Sequence, residues 1–302
     1  MNINGSKLAR KILSDLKPKV KWLRQKHQLI PQLAVVYIGN DKASLSYIRQ
    51  KQQAASDIGV KLKVSRFPQK TLFQPLERHL KQLANDPNVH GIIIQRPTPD
   101  HLSADRLCSH IPSAKDVDGF GKKSKFTSPV ALAVFKILKE IYYRHLAKQV
   151  VPKTDFPVSL ISWAKKLNMV VIGRGSTGGK PITDTLAFHK LTHVNLHSQT
   201  KNAPAYLQKA DLIISAVGKP NMVTAAQIRQ GCILIGVGVC RSHKHLTGDY
   251  DESAIKHKAG FYTPTPGGVG PVNVACLLQN LLTTVAGGEA VPPGRWNENY
   301  FP

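Results

Sequence analysis

Three polar residues in the first quarter of the sequence have a spacing that brings their side chains together. Tyr47 and Lys51 are four residues apart in a segment of helical periodicity, and Ser44 precedes Tyr47 by three. Residues three and four apart lie on one face of a helix, so the trio forms a candidate site for proton transfer. Taken alone, the same spacing is more often found in a surface cluster than in a catalytic site.

A glycine-rich loop at residues 173–179 directly follows the apolar run Met169–Ile172 and directly precedes a predicted helix. Backbone without side chains can approach a pyrophosphate, and a helix N-terminus offers unpaired N–H groups. This order of strand, loop and helix favours a dinucleotide site, with a plain glycine-rich turn as the alternative. Short-chain dehydrogenases share Tyr-x-x-x-Lys but carry their glycine loop first, so the order found here argues against them.

The segment after the next predicted strand indicates which dinucleotide the loop would hold. Sites for NAD usually end this strand in Asp or Glu, which holds the ribose hydroxyls. Here the strand ends in His197-Ser198-Gln199-Thr200, without a carboxylate. Arg174 and Ser198 could instead hold a 2′-phosphate, so NADP is favoured over NAD.

Three further segments place polar groups or bare backbone in predicted loops. Gln95 ends a predicted strand, and the carboxyl ends of parallel strands are where ligands collect in open α/β sheets. Residues 115–120 form a compact acidic turn, which in isolation is a turn with an Asx cap. Residues 264–271 have prolines at both ends and glycines in the middle. They suit a backbone wall against a flat ligand or the approach to a helix.

The elements that would position these residues form two α/β series. In the first half, short apolar runs alternate with segments of helical periodicity: strands at 32–38, 60–67 and 89–94, and helices at 44–58 and 72–83. A loop at 112–125 and a helix near Pro129 follow, then a linker at 152–157. The second series comprises strands at 169–172, 192–196, 212–217 and 233–237, helices from Gly179 and near Ala205 and Ala225, and a last helix after Pro271. Such alternation indicates parallel βαβ units, and therefore an α/β fold.

Composition excludes several classes of protein. The chain of 302 residues is 42% hydrophobic and 20% charged, which fits one large or two ordinary folded domains. No apolar run approaches the roughly 20 residues of a membrane span. Four cysteines without a C-x-x-C pair suit a reducing cytosol, so a cytoplasmic location is expected. His193 and His197 share a strand face, but no third ligand has metal-site spacing, so no metal is expected.

The net charge of +24 attracts anions such as nucleic acid, acidic lipid or a polyanionic substrate. No helix-turn-helix, zinc-finger or RNP signature accompanies the charge, so nucleic acid is a minority hypothesis beside a basic solvated surface. The N-terminal segment is rich in Lys and Arg, which fits a transit peptide or an amphipathic helix. The helix is favoured, with Leu8, Ile12, Leu16 and Leu23 on one stripe and an interruption at Pro18.

In their order along the chain, these motifs resemble those of one family, methylenetetrahydrofolate dehydrogenase/methenyltetrahydrofolate cyclohydrolase. The resemblance covers most of the chain and rests on Ile3-Asn4-Gly5, Ser44-x-x-Tyr47-x-x-x-Lys51, Gln95-x-Pro97-x-Pro99, Lys115-Asp-Val-Asp-Gly-Phe120, the cofactor loop, Val217-Gly-Lys-Pro220, Gly248-Asp249 and residues 263–271. It implies oxidation of 5,10-methylenetetrahydrofolate to 5,10-methenyltetrahydrofolate with NADP. It also implies hydrolysis of that product to 10-formyltetrahydrofolate.

The resemblance implies an α/β fold of two domains with a cleft between them. An N-terminal αβα catalytic domain would occupy residues 1–140, completed by a C-terminal helix at 272–302, and a Rossmann-like NADP-binding domain would occupy 141–271. Members of the family are commonly homodimers. Cellular folates carry an anionic polyglutamyl tail, which a basic cleft rim would attract.

The resemblance also assigns roles residue by residue. Lys51 is implied to be the central catalytic group, assisted by Gln95, while Tyr47 packs against the folate and Asp118 anchors the pterin. The further substrate contacts that it implies are Ser44, Pro266, Gly267, Gly268 and Pro271. The cofactor contacts that it implies are Gly173, Arg174, Gly175, Ser176, Gly179, Ser198, Val217, Gly218 and Val239.

The cofactor site departs from the family pattern more than the folate site does. The family's loop usually reads Gly-Arg-Ser-x-x-Val-Gly-x-Pro, but Gly175 and Gly178 stand here for the Ser and the Val, and Gly236 stands for a usual Asp. Two alternatives to a bifunctional enzyme therefore stay open. One is a cyclohydrolase with weak or absent dehydrogenase activity, and the other is a non-catalytic paralogue that binds folate or nucleic acid.

Overall fold

The computed structural model describes residues 1–146, 156–242 and 245–285. The chain divides into two compact units. Of the described residues, the three-stranded unit contains Ala9–Pro129 and 274–285, and the five-stranded unit contains Met1–Leu8 and those of 130–273. Two predicted segments fall partly outside the described residues, namely the linker at 152–157 and the C-terminal helix at 272–302.

The three-stranded unit is built on a parallel sheet with strand order β2-β1-β3. Its strands are β1 (Gln32–Ile38), β2 (Lys61–Phe67) and β3 (Gly91–Ile94). The helices of this part of the chain are α1 (Gly5–His27), α2 (Lys42–Ile58), α3 (Phe73–Asn85), α4 (Ala104–Cys108) and α5 (Pro129–Leu146). Every residue of β1 and β3 is buried, whereas β2 has exposed and half-buried residues.

The first helix corrects one expectation. Pro18 was expected to interrupt the N-terminal helix, but α1 continues through it. A proline removes one backbone hydrogen bond and crowds the preceding turn. Here the helix has a continuous apolar stripe on both sides of Pro18, with Ile12, Leu16 and Val20 all buried. Tertiary packing of that stripe therefore outweighs the local penalty.

The five-stranded unit is a parallel sheet with strand order β10-β7-β6-β4-β5. Its strands are β4 (Met169–Ile172), β5 (His193–Leu196), β6 (Leu212–Ser215), β7 (Ile233–Gly236) and β10 (Phe261–Tyr262). The other elements of this part of the chain are α6 (Phe156–Ala164), α7 (Gly179–Phe188), α8 (Ala203–Lys209), a hairpin of β8 (Val239–Ser242) and β9 (His245–Gly248), α9 (Glu252–Ile255) and α10 (Val269–Val285). Because β4 lies between β5 and β6, the strand order reverses beside β4, and ligands bind at such switch points.

The strands and helices predicted from apolar periodicity are present, with two differences in the second series, whereas α4, α6, α9 and β10 were not predicted. The helix predicted near Ala225 is one 3-10 turn, Ala225–Gln227. The last helix begins at Val269 instead of after Pro271, because a proline is tolerated within the first helical turn. The β8–β9 hairpin was not predicted. Among the described residues, no helix is long and apolar enough to cross a membrane.

Candidate active site

Helix α2 presents the trio of polar residues on its buried face. The side chain of Asp41 caps the helix, because its Oδ2 accepts a hydrogen bond of 2.6 Å from the backbone N–H of Ser44. Ser44 is 4% exposed and Lys51 5%, while Tyr47 is half-buried. A solvated surface cluster is therefore excluded for this trio.

The ammonium group of Lys51 is held from two sides. Its Nζ donates a hydrogen bond of 3.0 Å to Oε1 of Gln95, which directly follows β3. The amide of Gln95 is oriented in turn, because its Nε2 donates to the carbonyl of Arg96 at 2.8 Å. On the other side, Nζ lies 4.8 Å from the ring centroid of Tyr47, within the range of a cation–π contact. These contacts give the lysine a defined position.

Burial shifts the pKa values of two neighbouring groups, Lys51 and Asp118. Loss of water lowers the pKa of Lys51, and the nearby Asp118 partly offsets that effect. Burial raises the pKa of Asp118 to about 6, which the charge of Lys51 opposes and that of Asp116 reinforces. No hydrogen bond from the described part of the chain reaches the Asp118 carboxylate. Its oxygens are therefore available to a ligand.

Two buried polar residues hold the loop that carries Asp118. Oδ2 of Asp116 accepts a hydrogen bond of 2.7 Å from the N–H of Gly121, which closes the acidic turn. Nδ2 of Asn280, in α10, donates to the carbonyls of Val117 at 2.9 Å and Thr127 at 3.0 Å. Asn280 was not among the predicted site residues. No sequence motif could indicate it, because its partners lie more than 150 residues earlier.

The glycine loop after β4 leaves its backbone uncovered. Gly173 has φ +105°, and a Cβ there would lie 2.7 Å from the carbonyl oxygen of Ala216. A Cβ on Gly179 would overlap the carbonyl of Gly173. Gly175, by contrast, has open space around it. The first turn of α7 and this bare loop fit a pyrophosphate group, because both offer backbone N–H groups without side chains in front of them.

The remaining predicted cofactor residues lie at the carboxyl ends of neighbouring strands. Ser198 is exposed in the turn after β5, which Thr200 closes by accepting a hydrogen bond of 2.9 Å from the N–H of His197. Val217 and Gly218 follow β6, and a Cβ on Gly218 would lie 3.1 Å from the carbonyl oxygen of Val239. Arg174 and Ser176 are both exposed in the glycine loop. The absence of a carboxylate in the turn after β5 suits NADP.

The carboxylate of Asp249, which the sequence analysis named only within the motif Gly248-Asp249, supports the segment after β6. Asp249 is fully buried, and its two oxygens accept four hydrogen bonds. The donors are Ser215 Oγ at 2.6 Å and the backbone N–H groups of Val217 at 3.1 Å, Gly218 at 2.7 Å and Lys219 at 2.9 Å. Asp249 therefore determines the course of the chain immediately after β6.

The predicted substrate wall, Pro266, Gly267, Gly268 and Pro271, lies in the five-stranded unit beside the N-terminal segment. The N–H of Ser6 donates to the carbonyl of Gly267 at 2.9 Å. A Cβ on Gly5 would overlap the carbonyl of Gly268, which explains the glycine in Ile3-Asn4-Gly5. Pro271 lies in the first turn of α10.

Comparison with known proteins identifies the family. The catalytic-domain model of tetrahydrofolate dehydrogenase/cyclohydrolase matches residues 3–118, and the NAD(P)-binding-domain model of the same family matches residues 160–287. The chain belongs to this family. The family that the motifs resembled is thus confirmed, together with the α/β fold class.

Similar proteins span nearly the whole chain. Bifunctional protein FolD of Wolbachia pipientis wMel is 37% identical over 283 residues, which are 93% of each chain. The Moorella thermoacetica protein of the same name is 35% identical and covers 93% of this chain and 96% of its own. The crystal structure of FolD from Campylobacter jejuni aligns with a TM-score of 0.83 at 30% identity, covering 95% of this chain and 99% of that one. The structure of Trypanosoma brucei FolD, complexed with NADP and an inhibitor, aligns with a TM-score of 0.82 at 27% identity, covering 94% of this chain and 96% of that one.

Family membership confirms the expected dehydrogenase and cyclohydrolase class and the NAD(P)-binding domain. The roles of individual residues and the domain boundaries at 140 and 271 stay predictions.

Proposed function

We propose that this protein oxidises 5,10-methylenetetrahydrofolate to 5,10-methenyltetrahydrofolate with NADP and hydrolyses the product to 10-formyltetrahydrofolate. The observation that carries the proposal is the buried pair of Lys51 and Gln95 beside Asp118, in a chain of this family. A lysine of lowered pKa beside a fixed amide suits the proton transfers of the second reaction, and a carboxylate that accepts no hydrogen bond from the described residues suits binding of the folate.

The first step needs orientation more than acid–base chemistry. NADP, when bound, accepts the hydride that leaves the carbon bridging N5 and N10 of the folate. The protein's part is to hold the two reactants in register, which lowers the entropic part of the barrier. We assign the phosphates to residues 173–179 and the 2′-phosphate to Arg174 and Ser198, since both side chains are exposed beside the open loop.

The second step moves protons, and we assign that work to Lys51. Water adds to the methenyl carbon and loses one proton. The bond from that carbon to N5 then breaks as N5 gains a proton and the hydroxyl loses its remaining proton to become the formyl oxygen, so one proton is released overall. An amine of lowered pKa can accept and return a proton near neutral pH. Gln95 fixes the direction of Nζ, and the Tyr47 ring faces it from the other side.

We assign binding of the pterin to Asp118. A pterin presents a ring N–H and an exocyclic amino group side by side, which a carboxylate can accept together in a charge-assisted pair. The carboxylate must be ionised to accept both. Its pKa of about 6 means that binding weakens as the pH falls through that value.

The test is an assay with methylenetetrahydrofolate plus NADP or NAD, in which the absorbances of reduced cofactor and of methenyltetrahydrofolate are followed separately. We expect turnover in both steps and a preference for NADP. Folded protein that turns over neither folate would contradict the proposal.

A cyclohydrolase with weak dehydrogenase activity is the second candidate. It is favoured by Gly175 and Gly178, which stand where the family usually has Ser and Val. Added glycines give the free loop more conformations, and ordering them opposes cofactor binding. Efficient hydrolysis together with an NADP KM far above that of the relatives would favour this candidate.

Three finer statements complete the proposal. The protein works as a homodimer, as members of the family commonly do; sedimentation of the full chain tests this. It acts in the cytoplasm, which agrees with the thiols of Cys108 and Cys232, both buried and neither in a disulfide in the described structure. Its substrate is polyglutamylated, because a net charge of +24 attracts an anionic tail. A KM for polyglutamylated folate that does not change with salt concentration would contradict the last statement.

A further inference from the structure

Arg96 directly follows Gln95, yet its side chain is withdrawn from solvent. Only 11% of that side chain is exposed. Its guanidinium carbon lies 4.4 Å from the ring centroid of Phe120, a cation–π contact. Nη2 also lies 3.4 Å from Oδ1 of Asp105 and 3.6 Å from Sγ of Cys108. An arginine is rarely buried unless its charge is paired, and here Asp105 and the Phe120 ring face the guanidinium.

The backbone of Arg96 contacts the other side of the same site. Its carbonyl accepts a hydrogen bond of 2.8 Å from Nε2 of Gln95 and one of 3.5 Å from Oγ of Ser44. Phe120, under the guanidinium, is only two residues after Asp118. Arg96 therefore connects the residues around the Lys51 ammonium to the acidic turn that carries Asp118.

The charges around the site show what a second cation contributes. Asp118 is faced by Lys51, Asp116 and Arg96, and the Asp116 carboxyl is itself buried. If Lys51 gives up its proton during turnover, Asp118 loses one positive neighbour while Asp116 still opposes its ionisation. A guanidinium stays charged over the pH range in which carboxyl and ammonium groups exchange protons. Arg96 is thus the cation whose charge does not change.

We propose that Arg96 is a positioning residue of the folate site, whose fixed charge and contact with Phe120 keep Asp118 ionised and in place while Lys51 changes protonation. The inference rests on the proposed function, because it assigns Asp118 to the pterin and Lys51 to proton transfer. It assigns a role to Arg96, which occupies the first variable position of the Gln95-x-Pro97-x-Pro99 pattern.

The direction of the effect follows from the neighbours of Asp118. Burial and Asp116 raise the pKa of Asp118 to about 6, while Lys51 and Arg96 lower it. Removing the Arg96 charge must move that pKa upward. An upward shift of about one unit would leave roughly a tenth of the carboxyl ionised at pH 6, compared with about half in the parent protein.

The experiment compares Arg96→Met, Arg96→Lys and a control, Arg106→Met, in the full-length protein. Arg106 also stacks on an aromatic ring, with its guanidinium carbon 3.9 Å from the Phe73 centroid, but it is not among the charges that face Asp118. The pH profile of kcat/KM for hydrolysis is measured for each, and the Asp118 carboxyl is titrated by carbon-13 NMR. Asp118→Asn assigns its signal.

We expect Arg96→Met to shift the midpoint of the acidic limb of the kcat/KM profile, and the NMR midpoint of Asp118, to higher pH by about half to one unit. At pH 6 it should raise the folate KM about two- to fivefold, through the smaller ionised fraction. Arg96→Lys and Arg106→Met should leave both midpoints in place. An unshifted midpoint in Arg96→Met, or an equal shift in Arg96→Lys, would overturn the inference. If Arg96→Met does not fold, Arg96→Gln takes its place. A parent protein without turnover would refute the proposed function, while the NMR titration would still test Arg96.

Discussion

Replacement of Asp249 by Asn tests most directly how the loop after β6 is held in place. The substitution keeps the shape of the side chain but turns one acceptor oxygen into an NH2 donor. Placed at the Oδ1 position, that donor would face the N–H groups of Gly218 and Lys219, which now donate to the carboxylate at 2.7 and 2.9 Å. In the flipped orientation it would face Ser215 and Val217 instead. The Ser215 hydroxyl can turn and accept from that donor, so one N–H loses its acceptor in the flipped orientation and two lose theirs in the first.

The size of the effect follows from the N–H groups that lose their acceptor. A buried N–H without an acceptor costs about 1–3 kcal/mol, so the flipped orientation costs about 1–3 kcal/mol and the other about 2–6 kcal/mol if the loop after β6 keeps its course. The loop can avoid this cost by leaving its position, which then holds only part of the population. A preference reduced by about 2 kcal/mol corresponds to roughly a thirtyfold change, and the apparent cofactor affinity falls with the competent fraction. We expect the NADP KM to rise about five- to thirtyfold, for a preference reduced by about 1–2 kcal/mol.

The bifunctional enzyme supplies its own control. Hydrolysis of methenyltetrahydrofolate needs no hydride acceptor, so its kcat/KM should stay within about twofold of the parent value in Asp249→Asn. Asp251→Asn is the matched variant, because Asp251 is exposed and only caps α9 through Ser253. It should change neither activity. Thermal unfolding with and without NADP separates loss of cofactor binding from loss of the fold.

An NADP KM in Asp249→Asn equal to that of Asp251→Asn would refute the reasoning. An equal fall in both activities would also refute it, because the carboxylate would then support the whole fold instead of the segment after β6.

Three further predictions concern single residues. Lys51→Met should lose most hydrolysis while still binding folate, with Lys63→Met, at an exposed position of β2, as the control; retained hydrolysis would refute the role of Lys51. Gly179→Ala should raise the NADP KM more than tenfold because its Cβ overlaps a backbone carbonyl, whereas Gly175→Ala has open space; equal KM values for the two would contradict this reasoning. Asp118→Asn removes a carboxyl whose pKa is about 6 in the folded protein against an ordinary 3.8. Ionising the buried carboxyl lowers the free energy of unfolding, and this loss is absent below about pH 4 and complete above about pH 6. The variant lacks the loss, so its stability relative to the parent protein should rise with pH, by at most about 3 kcal/mol for roughly two pKa units. Denaturant unfolding at pH 4.5 and 7.5 checks the difference, and an effect independent of pH would be evidence against the raised pKa.

Local sequence was sufficient for much of the fold. Strand β1 was predicted at its observed bounds because an uninterrupted apolar run between polar segments has few other solutions. The glycine loop was predicted with its flanking strand and helix, because the features that make it recognisable are all within a dozen residues. The spacing of Ser44, Tyr47 and Lys51 is likewise a local property, and it placed them on one face before any packing was known.

Tertiary structure was needed wherever an outcome depends on residues far apart in the chain. Helix α1 continues through Pro18 because its apolar stripe packs on both sides, which local propensity does not contain. The role of Asp249 comes from donors about 30 residues earlier, which only the pairing of β6 and β7 and the following hairpin bring to it. The motif Gly248-Asp249 marked the position without indicating its partners.

The trio with which the sequence analysis began shows the same division. Periodicity determined that Tyr47 and Lys51 share a face, and it left open whether that face meets water. Only the fold removes water from Lys51 and brings Gln95 and Asp118 to it from separate segments. A pKa depends on burial and on neighbouring charges, and both are properties of three-dimensional packing, so the chemistry of these residues was decided there.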